Sequence, residues 1–131
     1  MIVLDTHVLI MLVLSPDRLS KAASKAIRQA EARDGIAISS ITLWEVALLI
    51  HERRIKVDGS IEVFLKQLSE LPGLHTFEIT AEIAALAFGF EPDFPRDPAD
   101  RLIAATARSH NVTLVTKDAR LQDCPLVRTI W

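Results

Sequence analysis

Four acidic residues stand where an apolar run gives way to the start of a helix. They are Asp5 after Ile2-Val3-Leu4, Glu45 in the first turn after Ile36 to Ser40, Asp100 in the first turn after Pro98, and Asp118 after Leu114-Val115-Thr116. In an open parallel sheet the carboxyl ends of the strands share one edge, and ligands bind in the crevice there. The four are therefore expected to meet in space. Carboxylates brought within about 4 to 6 Å of one another repel and raise each other's pKa, so such a cluster calls for a cation. The donors on offer are oxygens: Cys124 is the only cysteine, and His7, His51, His75 and His110 show no paired ligand spacing. That donor set selects magnesium or manganese over zinc or copper. The matching chemistry is phosphodiester hydrolysis, in which the metal activates a water and stabilises charge on the phosphorus oxygens, with no covalent nucleophile. Thr6 and Thr116 are candidate supporting donors that would orient a water or a carboxylate.

Each acid also has an ordinary explanation. Asp97-Pro98-Ala99-Asp100 is a sound helix N-terminus, with Asp97 as cap and Asp100 favoured by the helix dipole. Thr42-Leu43-Trp44-Glu45 matches a capping box, Asp118 suits the cap of a one-turn helix before Leu121, and Asp5 suits a cap at a strand-to-helix turn. His7 reads as structural or surface, and Trp44 as packing. What the caps do not explain is four such acids on one predicted sheet edge.

The elements that must position them alternate between helical and strand patterns, which argues for an α/β fold with a mainly parallel sheet. Ile2-Val3-Leu4 reads as a first strand feeding a helix over residues 8–14. Ala22, Ala23, Ala26, Ile27 and Ala30 recur at helical spacing up to Asp34-Gly35, and Ile36-Ala37-Ile38 is a second strand. A helix follows, with Leu43, Val46, Ala47 and Ile50 on its apolar face. Phe64, Leu65 and Leu68 mark another over residues 61–71, stopped by Pro72-Gly73. Residues 76–79 are expected as a third strand and 81–88 as a short helix. After the rigid loop Glu91-Pro92-Asp93-Phe94-Pro95, a helix opens at Pro98 and runs to about residue 110 with Leu102, Ile103, Thr106 and Ala107 facing the core. Residues 112–116 and 126–130 read as the last two strands, the final one at an edge.

At 131 residues the chain fits one domain over residues 1–131. The composition is 50% hydrophobic and 24% charged, globular with an apolar surplus that suits a buried partner surface. The longest apolar run, residues 8–14, is far short of the roughly 20 residues of a membrane span, and no basic region precedes it, so a cytoplasmic protein is expected. A net charge of −2 excludes the overall basic character of many nucleic-acid binders. Any nucleic-acid contact must be local.

Ile2-Val3-Leu4-Asp5-Thr6-His7-Val8-Leu9-Ile10 resembles the opening strand and first motif of PIN domains, particularly the bacterial VapC-type toxins. Ser39-Ser40-Ile41-Thr42-Leu43-Trp44-Glu45 is similar to their second motif, Arg96-Asp97-Pro98-Ala99-Asp100-Arg101 with the helix that follows to the third, and Leu114-Val115-Thr116-Lys117-Asp118 to the fourth. The resemblance spans nearly the whole chain. It implies a three-layer α/β/α sandwich around a five-stranded, mainly parallel sheet, and a ribonuclease whose metal-binding and catalytic acids fall on Asp5, Glu45, Asp100 and Asp118, with Asp97 a further acid. It also implies a homodimer and a VapB-type antitoxin that covers the pocket and carries any promoter recognition, since no DNA-binding element is visible here. Relatives often have histidine just before the third motif, where this chain has Pro95.

RNA needs positive charge near the pocket; Arg96, Arg101, Lys117 and Arg120 lie close to the acidic motifs and are the candidates, while scarce aromatics argue against extensive base stacking. Thr116-Lys117 late in a doubly wound fold also suits a phosphoaspartate receiver, but Thr80 rather than an aspartate follows Ile79. An Asp-x-Asp phosphatase is weakened because position 7 is histidine. A non-catalytic α/β binding module, with the acids serving only as caps, is the third reading.

Overall fold

A computed structural model describes residues 1–131. The sheet has five strands, β1 (Ile2–Leu4), β2 (Ile36–Ser39), β3 (Leu74–Phe77), β4 (Thr113–Val115) and β5 (Thr129–Ile130), in the order β3-β2-β1-β4-β5. All four pairings are parallel. The chain starts in the centre, builds outward to β3, then crosses back to lay β4 on the other flank of β1. The order therefore reverses beside β1, which is where an open α/β sheet opens its ligand crevice.

Seven helices connect the strands: α1 (Thr6–Leu14), α2 (Lys21–Glu31), α3 (Ser40–His51), α4 (Ile61–Ser69), α5 (Ala81–Leu86), α6 (Pro98–Ser109) and α7 (Ala119–Gln122). Strand alternation sorts the side chains into two cores. Val3, Ala37 and Leu114 face the layer of Ile83, Ala87, Ile103, Ala104 and Leu121. Ile2, Leu4, Ile36, Ile38 and Val115 face the opposite layer of Val8, Leu9, Ala23, Ile27, Val46 and Leu68. Both faces are covered, so the inner strands read as unbroken apolar runs. α3 spans the edge between the layers: Val46 joins one core while Ile41 packs against the other. No helix is long and apolar enough to cross a membrane.

Several boundaries differ from the sequence expectation. β3 begins two residues early, at Leu74, because Gly73 at φ +76° turns the chain straight into pairing and its carbonyl accepts from Ile36 N–H at 2.9 Å. β5 is only Thr129–Ile130, at the expected edge. On α3 the fully buried residues are Thr42, Val46 and Leu49, with Leu43, Ala47 and Ile50 half-buried at its flanks. The helix is apolar nearly all round, so periodicity could not choose its inner face. Trp44, read as packing, is 59% exposed.

Candidate functional site

Three strand ends and one helix start deliver acids to the carboxyl edge. Asp5 follows β1 directly; its backbone N–H donates to Val115 O at 3.0 Å, tying it to the end of β4. It occupies the N-cap position of α1, yet its carboxylate caps nothing. Instead it accepts from Thr116 Oγ1 at 2.7 Å. Thr116 Oγ1 in turn accepts from Asp118 N–H at 3.1 Å, so one hydroxyl links two of the acids. Burial pushes the Asp5 carboxyl above its usual range, against the lowering effects of the Thr116 bond and nearby His7.

Glu45 lies in the second turn of α3, not the first, because the helix already begins at Ser40. The capping-box reading fails for the same reason: Thr42 is inside the helix and fully buried. Its Oγ1 lies 3.2 Å from Thr6 Oγ1, and Thr6 donates to Glu45 Oε1. A Thr42, Thr6 and Glu45 cluster thus pins the carboxylate from below, and burial raises its pKa despite the Thr6 bond. Sequence reasoning missed Thr42 because its spacing from Glu45 imitates a capping motif. On the same edge Ser39 Oγ, at the end of β2, is buried without a hydrogen-bond partner.

α6 runs antiparallel to the strands on its way into β4, so its N-terminus points at the carboxyl edge. Asp97 caps it, accepting from Ala99 N–H at 2.8 Å and Asp100 N–H at 3.4 Å. Asp100 sits in the first turn, where the helix dipole favours ionisation. Burial and the fields of Asp5, Asp97, Glu45 and Asp118 overwhelm that dipole and push its carboxyl up to about 7. Asp118 does cap α7, accepting from Arg120 N–H at 2.9 Å. The Arg120 guanidinium also clamps it, holding its pKa below the usual carboxylate range.

Asp97 and Asp118 thus stand near enough to Asp5, Glu45 and Asp100 for the fields of neighbouring acids to raise these three carboxyls. No three of them stand in a ready ligand cage. The donors are all hard oxygens, and Arg120 is the one cation paired with them. Such a set fits magnesium or manganese: the charge concentration is what a divalent ion relieves.

Of the expected RNA-contacting cations, Arg96 and Lys117 are exposed. Arg101 is half-buried. It donates to Ala87 O at 3.1 Å and Phe94 O at 3.4 Å and lies over the Phe94 ring, bracing the 91–95 loop against α6. His7, read as structural or surface, is exposed and lies near enough to Asp5 and Glu45 to favour their ionised forms.

Residues 2–125 match the family described as PIN domain. The chain is 42% identical over 132 residues to Ribonuclease VapC22 of Mycobacterium tuberculosis, an alignment that covers 99% of this chain and 98% of that protein. Among solved structures it is similar to VapBC2 from Rickettsia felis bound to a DNA fragment from their promoter, with TM-score 0.73, 20% identity, and 99% and 98% of the two chains covered. It is similar also to the sarcin-ricin loop cleaving toxin VapC20 of Mycobacterium tuberculosis, with TM-score 0.69, 16% identity, and 98% and 99% covered. A third is FitAcB from Neisseria gonorrhoeae, with TM-score 0.67, 23% identity, and 100% and 97% covered. At these identities the solved structures show the shared fold.

Proposed function

This chain belongs to the PIN-domain family, and from that premise we propose that it is a magnesium- or manganese-dependent endoribonuclease acting as the VapC-type toxin of a toxin-antitoxin pair. The observation that carries the reading is the convergence of acids at the sheet's switch point, where one hydroxyl links Asp5 to Asp118 and one guanidinium pairs with both Asp118 and Asp100. Asp5, Asp100 and Asp118 would hold the ion, with Glu45 beside them. A bound divalent ion would lower the pKa of the attacking water and stabilise charge on the scissile phosphate.

The chain's own side chains supply the rest. Thr116 fixes the orientation of Asp5 and ties it to Asp118, and Thr6 does the same for Glu45. Asp97 holds the first turn of α6 in place, keeping Asp100 at the edge. Arg96, Lys117 and Arg120 provide phosphate contacts from the rim. Identity to a named ribonuclease supports RNA as the substrate. The solved complexes of relatives with their antitoxins support a VapB-type partner that blocks the pocket and carries DNA recognition. A homodimer of this one domain, working in the cytoplasm, completes the proposal.

The test compares purified wild type with Asp5→Asn and Asp100→Asn on single-stranded and structured RNA, with magnesium, manganese or EDTA. Cleavage that needs the metal and falls at least 100-fold in the folded variants is the expected result. Cleavage that persists unchanged in EDTA and in both variants would overturn the assignment. Co-expression of the cognate antitoxin is expected to relieve growth arrest, whereas arrest by pocket-dead variants would contradict the toxin reading.

A further inference from the structure

Arg120 is the one cation in ion-pair contact with the acidic cluster. Its Nη2 donates to Asp118 Oδ2 at 2.9 Å and its Nε to Asp118 Oδ1 at 3.3 Å, so the guanidinium covers both oxygens of that carboxylate. The backbone N–H of the same residue takes Oδ1 as well. Nη2 also lies 3.8 Å from Asp100 Oδ2. A single guanidinium therefore bridges two of the carboxylates assigned to the ion. The side chain is 65% exposed and has no hydrogen-bond partner besides Asp118, so only these two carboxylates pair with it.

We propose that Arg120 is a built-in counter-cation of the metal-free pocket, which competes with the divalent ion for Asp118 and Asp100 and is released to a substrate phosphate when the ion loads. The inference rests on the metal-dependent nuclease reading. The guanidinium and the ion seek the same oxygens, because a planar two-point clamp on a carboxylate uses the lone pairs a hard cation needs. They also repel: a unit charge about 5 Å from a divalent ion alters affinity by roughly an order of magnitude in water, less after salt screening. A guanidinium displaced from Asp118 keeps its fork geometry and its place at the rim, where a phosphate oxygen pair is the next partner of matching shape. Metal loading and substrate capture are thereby coupled through one side chain.

The prediction is a pair of opposite effects. Arg120→Gln removes the charge from an exposed position, so the fold should be unaffected. Titrated calorimetrically with manganese in the absence of RNA, it should bind the ion about 3- to 10-fold more tightly than wild type, while its KM for RNA rises about 3- to 10-fold. Arg120→Lys keeps the charge without the fork, so its manganese affinity should fall between the two. Unchanged or weaker manganese binding by Arg120→Gln would overturn the competition. Tighter binding with an unaltered KM would overturn the release to substrate. Failure of wild type itself to bind manganese would instead remove the metal reading on which the proposal stands.

Discussion

At the residue scale, Asp100 and Thr116 carry the clearest consequences. A carboxyl that titrates at about 7 in the fold, against 3.8 ordinarily, binds its proton more tightly when the chain is folded. Stability from this group is complete below about pH 4 and is lost as pH rises through 7. Asp100→Asn should therefore stabilise the metal-free protein at pH 8 and not at pH 4. One pKa unit is worth about 1.4 kcal/mol; because the group is partly solvated, the expected gain is about 1–2 kcal/mol. Urea denaturation in EDTA at the two pH values measures it, and an equal effect at both would mean that Asp100 does not titrate as described. Thr116→Val leaves buried Asp5 without its donor and frees Asp118 N–H. It should cost about 1–3 kcal/mol and weaken manganese binding, whereas Thr116→Ser should retain both. The acids and the supporting hydroxyls of Thr6 and Thr116 were legible in the sequence; which carboxylate each hydroxyl serves was not, because a hydroxyl 111 positions from its carboxylate leaves no local pattern.

Among the elements, the tightest constraint joins the start of β2 to the turn before β3. Gly35 has φ +87°, and a Cβ there would lie 2.7 Å from Gly73 O. Gly59 also has positive φ, at +80°, but a Cβ there meets nothing within 4 Å. Gly59→Ala should cost only the left-handed backbone penalty, about 1–2 kcal/mol. Gly35→Ala must add a backbone collision that strains the Ile36 to Gly73 hydrogen bond, and should cost at least about 2 kcal/mol more. Thermal melts of the two variants settle the comparison, and equal losses would show that the β2 and β3 junction yields freely. Helix types and order were readable from periodicity and stop signals. The start of α3 was not, since Ser39, Ser40 and Thr42 are all competent caps and only strand pairing up to Ser39 selects the first.

Across the whole molecule, the acidic edge ties metal binding, protonation and stability together. Loading a divalent ion near neutral pH should expel the Asp100 proton. Calorimetry in buffers of different ionisation enthalpy should detect roughly half a proton or more released per ion at pH 7, and less at pH 8.5; no buffer dependence would contradict the linkage. Magnesium at 100 times its dissociation constant should stabilise the fold by about 2.7 kcal/mol. The sequence by itself determined the alternation of helices and strands, the four acid positions and the family they resemble, because periodicity, stop signals and motif spacing are properties of neighbouring residues. Only the tertiary structure decided that Asp5 gives up capping to take the Thr116 hydroxyl, that Arg101 braces a loop, and that Arg120 clamps Asp118 beside Asp100. Those outcomes depend on which groups the strand order brings within hydrogen-bond reach, and the strand order is set by packing two apolar faces at once rather than by any local stretch of chain.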